Sequence, residues 1–325
     1  MIKGKQMKKI KDLISIADLN KQEFIKLFSM AEILKNKVKK GVRYQPLAGK
    51  TLAMIFQKPS TRTRTSFEVG MTQLGGHAIF LNSQEMQVKR GETFADTARV
   101  LSRYVDGVMV RANTHQDILE LAKHSTIPII NGLSDMEHPC QILADIFTIL
   151  ENKVKSMDPA KWQKYGLNRI KITYVGDGNN VVNSLMLATS IMGMNITVCT
   201  PRGYEPHPWI LDKSKQLCRK SGGKFQILHN PDEAAAESDI LYTDVWTSMG
   251  KEKEENARIK IFKGYQLNQK LVSLAKPDVL IMHDLPAHRG EEITDEVMDS
   301  PNSIVFDQAE NRLHVQKAVL MYLIK

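Results

Sequence analysis

The sequence predicts an α/β protein of two doubly wound parallel-sheet domains, joined by interdomain helices, with its functional site in the cleft between them. Short apolar runs alternate with helix-period segments, the pattern of parallel strands connected through helices that cover both sheet faces. The alternation pauses over a polar stretch at 153–168, which contains Pro159 and Gly166, and then resumes. A length of 325 residues also favours two domains over one. The expected division is 1–152, completed by a returning C-terminal helix at 308–325, and 153–307.

Residues 20–40 read as an amphipathic helix. Asn20 is its N-cap, Glu23 completes a capping box, and Phe24, Leu27, Phe28, Ala31 and Leu34 fall on one stripe. Strands are then expected at 52–56, 77–81, 107–110 and 127–130, with helices at 63–74, 93–104 and 115–124 between them. Gly75-Gly76 marks one helix end. A helix at 138–152 closes the first half. In the second half, strands are expected at 171–175, 196–200, 225–228, 240–243 and 279–283, and helices at 180–192, 208–220 and 231–237. The charged segment 252–275 reads as helical in places, with a mobile loop. The last helix, expected to open near Arg312, returns toward the first domain.

Composition narrows the function classes. Hydrophobic residues make up 42% and charged residues 25%, the balance of a soluble globular protein. No run approaches the roughly 18–20 apolar residues of a membrane span. The basic start lacks the apolar region of a secretory leader. Cys140, Cys199 and Cys218 fit neither a zinc pattern nor a disulfide framework, which suits a reducing cytosol. The net charge is +9, and residues 1–50 supply all of it, with 13 Lys+Arg against 4 Asp+Glu. A nucleic-acid binder needs a basic face across its fold, so the excess reads as a solvated basic tail and helix.

Ser60-Thr61-Arg62-Thr63-Arg64 carries the sharpest chemistry. It follows a strand and opens a helix, where free N–H groups and the positive end of the macrodipole form an anion site of the kind phosphate needs. Pro59 rigidifies the entry. His138-Pro139-Cys140-Gln141 also enters a helix, with His138 and Gln141 at i, i+3 facing one point. Arg111 ends another strand on the same edge. Ligands bind at the C-terminal edge of parallel sheets, so Arg62, Arg111, His138 and Gln141 are expected to converge. In the second half, Asp177-Gly178-Asn179-Asn180, Asp244 with Ser248-Met249-Gly250, and His283-Asp284-Leu285-Pro286 each follow a strand. The glycine loop lacks the full G-x-G-x-x-G spacing, so a dinucleotide site is a weak reading. Its asparagines suit a polar substrate, and Asp244 suits an ammonium group.

In this order these motifs resemble the aspartate/ornithine carbamoyltransferase superfamily. The Asp244 to Gly250 segment, Asp177-Gly178-Asn179-Asn180 and Glu310-Asn311-Arg312 are similar to its ornithine branch. The resemblance runs from about Leu13 to Lys325. It implies transfer of a carbamoyl group from carbamoyl phosphate to L-ornithine. By it, Ser60, Thr61, Arg62, Thr63 and Arg111 hold phosphate, and Arg312 contacts carbamoyl phosphate. Arg111, His138, Gln141 and Thr63 surround the carbamoyl group. Asn180, Asp244, Ser248 and Met249 hold ornithine, and the backbone carbonyls near Asp284 and Leu285 orient the carbamoyl NH2. Gln87 resembles a residue lent to a neighbouring subunit, which implies a homotrimer with shared active sites. Phosphate is a good leaving group, so the chemistry requires neither metal nor organic cofactor. Arg111 and His138 would stabilise charge developing on the carbonyl oxygen.

One position departs from the branch, which usually has Cys where Asp284 stands. A carboxylate there favours a bound ammonium, or acts as a base, and is expected to shift the pH optimum. Rival readings are a transcarbamoylase for putrescine or another amine, which would not need Asp244 and Ser248-Met249, and a non-catalytic basic binding protein on the same fold. An aspartate acceptor suits basic residues better than Asp244, and an NAD oxidoreductase lacks its glycine fingerprint.

Overall fold

The structure is a computed structural model and describes residues 10–247 and 254–324. The first half begins with α1 (Lys21–Lys39). It continues through β1 (Thr51–Phe56), α2 (Thr61–Gln73), β2 (His77–Asn82), α3 (Phe94–Leu101), β3 (Gly107–Arg111), α4 (His115–His124), β4 (Ile129–Leu133) and α5 (Pro139–Ile149). After α6 (Pro159–Tyr165) come β5 (Lys171–Val175), α7 (Asn180–Met192), β6 (Asn195–Cys199), α8 (Pro208–Ser221), β7 (Lys224–Leu228), α9 (Pro231–Ala235) and β8 (Ile240–Thr243). The chain ends with α10 (Glu255–Phe262), α11 (Gln269–Val272), β9 (Leu280–His283), α12 (Asp295–Met298) and α13 (Val305–Leu323).

All strand pairs are parallel, and the orders are β2-β1-β3-β4 and β7-β6-β5-β8-β9. Each sheet therefore reverses its winding once, between β1 and β3 in the first and between β5 and β8 in the second. A crevice opens at such a reversal, because the flanking connections leave in opposite directions. Strands buried on both faces read as near-continuous apolar runs, as Leu52 to Phe56 do.

Capping chemistry sets the first helix as its sequence implies. Asn20 Oδ1 accepts from the N–H groups of Gln22 and Glu23, while Glu23 Oε2 accepts from the Asn20 N–H at 2.8 Å. Its apolar stripe is buried. The basic helix is not wholly solvated, however. Lys35 is buried and donates to both Glu151 carboxylate oxygens at 2.9 Å and to Asn311 at 2.7 Å. A central layer joins the sheets. Every residue of α5 is buried, as are the residues of α7 from Val181 to Met192. One apolar cluster runs from Leu13 and Phe28 through Phe147 and Leu185 to Met282.

The differences from the expected elements have local causes. The last helix begins at Val305, so Arg312 lies two turns inside it rather than opening it. Ile304 occupies the N-cap without a side-chain cap, so no capping residue marks the start. The stretch expected as a polar junction contains α6, capped by Asp158, started by Pro159 and anchored by buried Trp162. Strand β4 begins later than expected and runs through Gly132, where any side chain would meet Met109 Sδ at 2.4 Å. The helix expected at 138–152 gives way to a π-helical turn at Leu150–Val154. Among the described residues, no helix is long and apolar enough to cross a membrane.

Candidate active site

The first sheet places its motifs on adjoining strand ends. Ser60 caps α2, its Oγ accepting from the Thr63 N–H at 3.2 Å. Thr63 is fully buried and Arg62 partly so. Arg111 is the last residue of β3 and only 5% exposed, and its Nε has no hydrogen-bond partner among the described residues. His138 is the N-cap of α5 and equally enclosed, with Nδ1 unpartnered. From α13, Arg312 reaches between these elements, donating to Gln141 Oε1 at 2.8 Å and Thr63 Oγ1 at 2.9 Å.

The electrostatics follow from this crowding. Burial, followed by the charge of Arg312, lowers the Arg111 guanidinium to about 10; Asp284 opposes the shift and Arg62 adds to it. Arg111 therefore stays cationic at neutral pH. Burial, Arg312 and Arg111 push His138 well below its usual range. Its imidazole is neutral and can donate an N–H without adding charge. Arg312 is itself lowered, first by burial. A cleft of like-charged guanidinium groups with unfilled donors is unfavourable when empty and is relieved by an anion.

In the second half, Gly178 is fixed by close approach of backbone, not by a dinucleotide. A side chain there would meet Tyr204 O at 2.4 Å, and the Gly178 N–H donates to that carbonyl. Asp177 forms an ion pair with buried Arg258. Asn179 caps α7 and donates to Asp244 Oδ2 at 2.6 Å. The Asn180 amide donates to the carbonyl of Ser134, in the loop after β4, and so ties the halves together. Asp244 is 5% exposed. Its carboxyl is pushed well above the usual range by burial and then by the Asp284 carboxylate.

Asp244, His283 and Asp284 each bring one oxygen or ring nitrogen within 4.8 Å of the others. Such a trio has the composition of a cation site. The ring is already committed, because His283 Nδ1 accepts from the Leu285 N–H at 2.9 Å and Nε2 faces Glu292 at 2.9 Å. Burial opposes a charge on His283, but the Asp284 and Glu292 carboxylates outweigh it and raise the ring to about 9. The Leu285 N–H points at Nδ1, so the ring carries its proton on Nε2, toward Glu292. With both ring nitrogens taken, Asp244 and Asp284 are left to meet a cation, which suits an ammonium better than a coordinated metal. Leu285 adopts the left-handed region (φ 61°), an uncommon backbone for a γ-branched residue.

Arg62, Arg111, His138, Gln141, Thr63 and Arg312 thus gather at the first sheet's edge, and Asp244 and Asp284 face them from the second. Gln87 is exposed on the 3-10 turn Gln87–Arg90. Ser248 and Met249 lie outside the described residues. The sequence reading missed Asp145, which is fully buried and accepts from Gln141 (2.9 Å), Gln308 (2.8 Å) and Tyr242 (2.9 Å). Its i+4 spacing from Gln141 was the available signal.

Known proteins match this chain over nearly its whole length. The family described as aspartate/ornithine carbamoyltransferase, carbamoyl-P binding domain, matches residues 11–151, and its Asp/Orn binding domain matches 168–323. The chain is 54% identical over 310 residues to an ornithine carbamoyltransferase of Thermococcus kodakarensis, covering 95% of each chain. It is 54% identical over 311 residues to an anabolic ornithine carbamoyltransferase of Pyrococcus furiosus, again covering 95% of each. A solved ornithine carbamoyltransferase from P. furiosus superposes with a TM-score of 0.89 at 53% identity, covering 97% of both chains. A mitochondrial one from Coccidioides immitis superposes at 0.87 with 36% identity, covering 98% of both. The chain belongs to the aspartate/ornithine carbamoyltransferase family.

Proposed function

We propose that this protein transfers the carbamoyl group of carbamoyl phosphate to the side-chain amine of L-ornithine, yielding L-citrulline and phosphate. One observation carries the reading: a guanidinium-rich strand edge with a neutral His138 faces the Asp244 and Asp284 carboxylates. The first suits a dianionic donor and the second a cationic acceptor. The high identity to relatives named for this reaction supports the same conclusion.

Residues 1–152 with the C-terminal helix bind carbamoyl phosphate, and 153–307 bind ornithine. Ser60, Thr61, Arg62, Thr63, Arg111 and Arg312 grip the phosphate. Arg111, His138 and Gln141 with Thr63 surround the carbamoyl group, and the carbonyls of Asp284 and Leu285 take its NH2 hydrogens. Asn180, Asp244, Ser248 and Met249 hold ornithine. The neutral amine attacks the carbamoyl carbon, and charge develops on the carbonyl oxygen. Arg111 and His138 donate to that oxygen, a contribution that strengthens in a water-poor site. Arg62 and the α2 amides stabilise the departing phosphate. Holding both reactants in one cleft removes much of the entropic barrier. Exposed Gln87 completes a neighbouring subunit's site, so the working unit is a homotrimer, in the cytoplasm.

A ureido-product assay with carbamoyl phosphate and ornithine, putrescine or aspartate tests this. Citrulline should form at least a hundredfold faster than the other two products. Preferred turnover of putrescine or aspartate would overturn the acceptor assignment, and no product from any amine would overturn the activity.

A further inference from the structure

In the second half of the cleft, two acids stand together, and the described residues that donate to them serve Asp244. Asp244 Oδ2 accepts from Asn179 at 2.6 Å, and Oδ1 from the Val245 N–H at 2.7 Å. Asp284 Oδ1 is buried and has no hydrogen-bond partner among the described residues. His283 Nδ1, 3.5 Å away, already accepts the Leu285 N–H. Asp244 is buried and Asp284 partly so, and two carboxylates packed this closely repel each other when both are charged, so a proton shared between them relieves the empty cleft.

The groups facing this pair come from every surrounding element. Arg111 and Arg312 approach from the first half and feel the Asp284 charge. Asp145, Tyr242 and Tyr174 lie beneath and feel the pair as an obstacle to their own ionisation. His283 is anchored to Glu292 through Nε2 at 2.9 Å. The arginines are the donor's counter-charges, so a bound dianion quenches them and leaves the pair as the main charge available to the amine.

We propose that Asp244 and Asp284 act together as a single shared-proton base, which takes the proton of the acceptor's side-chain ammonium inside the cleft. The inference rests on the reaction assigned above. An alkyl ammonium titrates near 10, so the reactive free amine is roughly one part in a thousand of the substrate at neutral pH. The arriving cation displaces the shared proton to solvent. Its own N–H proton then moves to the vacated carboxylate, leaving a neutral amine beside a singly protonated pair. The nitrogen lone pair forms the C–N bond as the C–O bond to phosphate breaks. The second nitrogen proton leaves with the phosphate as HPO4²⁻. Asp284 is thus a catalytic residue in its own right.

L-Norvaline, which lacks the side-chain amine, separates this from a structural role. As a competitor of ornithine under saturating carbamoyl phosphate, it should bind best to the protonated pair. Its Ki should rise with pH, approaching about tenfold per pH unit where the shared proton is lost. The Asp284→Asn variant should lose that dependence. It should also lose about a hundredfold in kcat/KM for ornithine, the lower range for one acid–base group, without a change in melting temperature. Asp284→Glu should restore part of the rate and the slope. A flat norvaline profile in the wild-type protein overturns the proposal and needs no variant. So does an Asp284→Asn protein that keeps the wild-type pH–rate curve. Absence of citrulline from the wild-type protein at every pH would instead sink the assigned reaction.

Discussion

The cations at the first sheet's edge are held by neutral groups: Arg312 by Gln141 and Thr63, and Gln141 in turn by Asp145. The acids at the second sheet's edge are held mostly by each other and by Asn179. The first arrangement keeps permanent charge in a buried place, since guanidinium groups stay ionised even when burial lowers them. The second keeps charge conditional, because burial and the neighbouring Asp284 carboxylate both favour a proton on Asp244. A dianionic donor needs a standing field, whereas an amine nucleophile needs a group that can accept a proton.

The largest way to break the comparison is at Arg111, whose Nε is already unpartnered. Arg111→Met should lower kcat by about a thousandfold, the range for removing one preorganised donor, while circular dichroism melting stays close to wild type. Asp244→Asn should act on the other half alone. The KM for ornithine is expected to rise about a hundredfold, the cost of losing roughly 3 kcal/mol of a charged hydrogen bond, and calorimetric binding of inorganic phosphate should not change. Equal loss of both would mean that the two halves are not separate devices. Arg312→Lys keeps the charge but cannot span Gln141 and Thr63 together. Initial rates should show a rise of about tenfold in the KM for carbamoyl phosphate, one hydrogen bond's worth, with little effect on ornithine.

The smallest effect on activity is expected at Glu137, which joins the halves by accepting from Ser15, the Ile16 N–H and Ser184. Burial raises its carboxyl from 4.5 to about 7. A raised carboxyl favours the folded state most below its unfolded value, and that contribution falls as pH rises through about 7. Asp145, raised to about 7 by the same cause, acts in the same direction. The melting temperature should therefore decline between pH 5 and 8. Glu137→Gln should flatten part of that decline, on the order of 2 kcal/mol, with kcat within a few fold. A wild-type melting temperature that climbs over this range would contradict the burial argument.

Much of this was legible in the chain. Periodicity located the strands of both sheets: the inner ones are apolar because they are buried on two faces, and the half-exposed edge strands β2 and β7 still carry short apolar runs. The starts of α2 and α5 carried Ser60 and His138 to the expected sheet edge, since a helix after a parallel strand begins at that edge. Local signals failed where no local cause existed. Val305 begins a helix without a capping residue, and α6 hid its single buried anchor, Trp162, among charges.

Sequence by itself determined which strands form, where they end and which residues emerge at those ends, because these depend on neighbours a few positions apart. Only tertiary structure decided the charge states. That His138 is neutral, that Arg312 bridges Thr63 and Gln141, and that Asp244 shares its surroundings with Asp284 depend on groups far apart in the chain. Burial and Coulomb interactions act through space, and a linear pattern records neither.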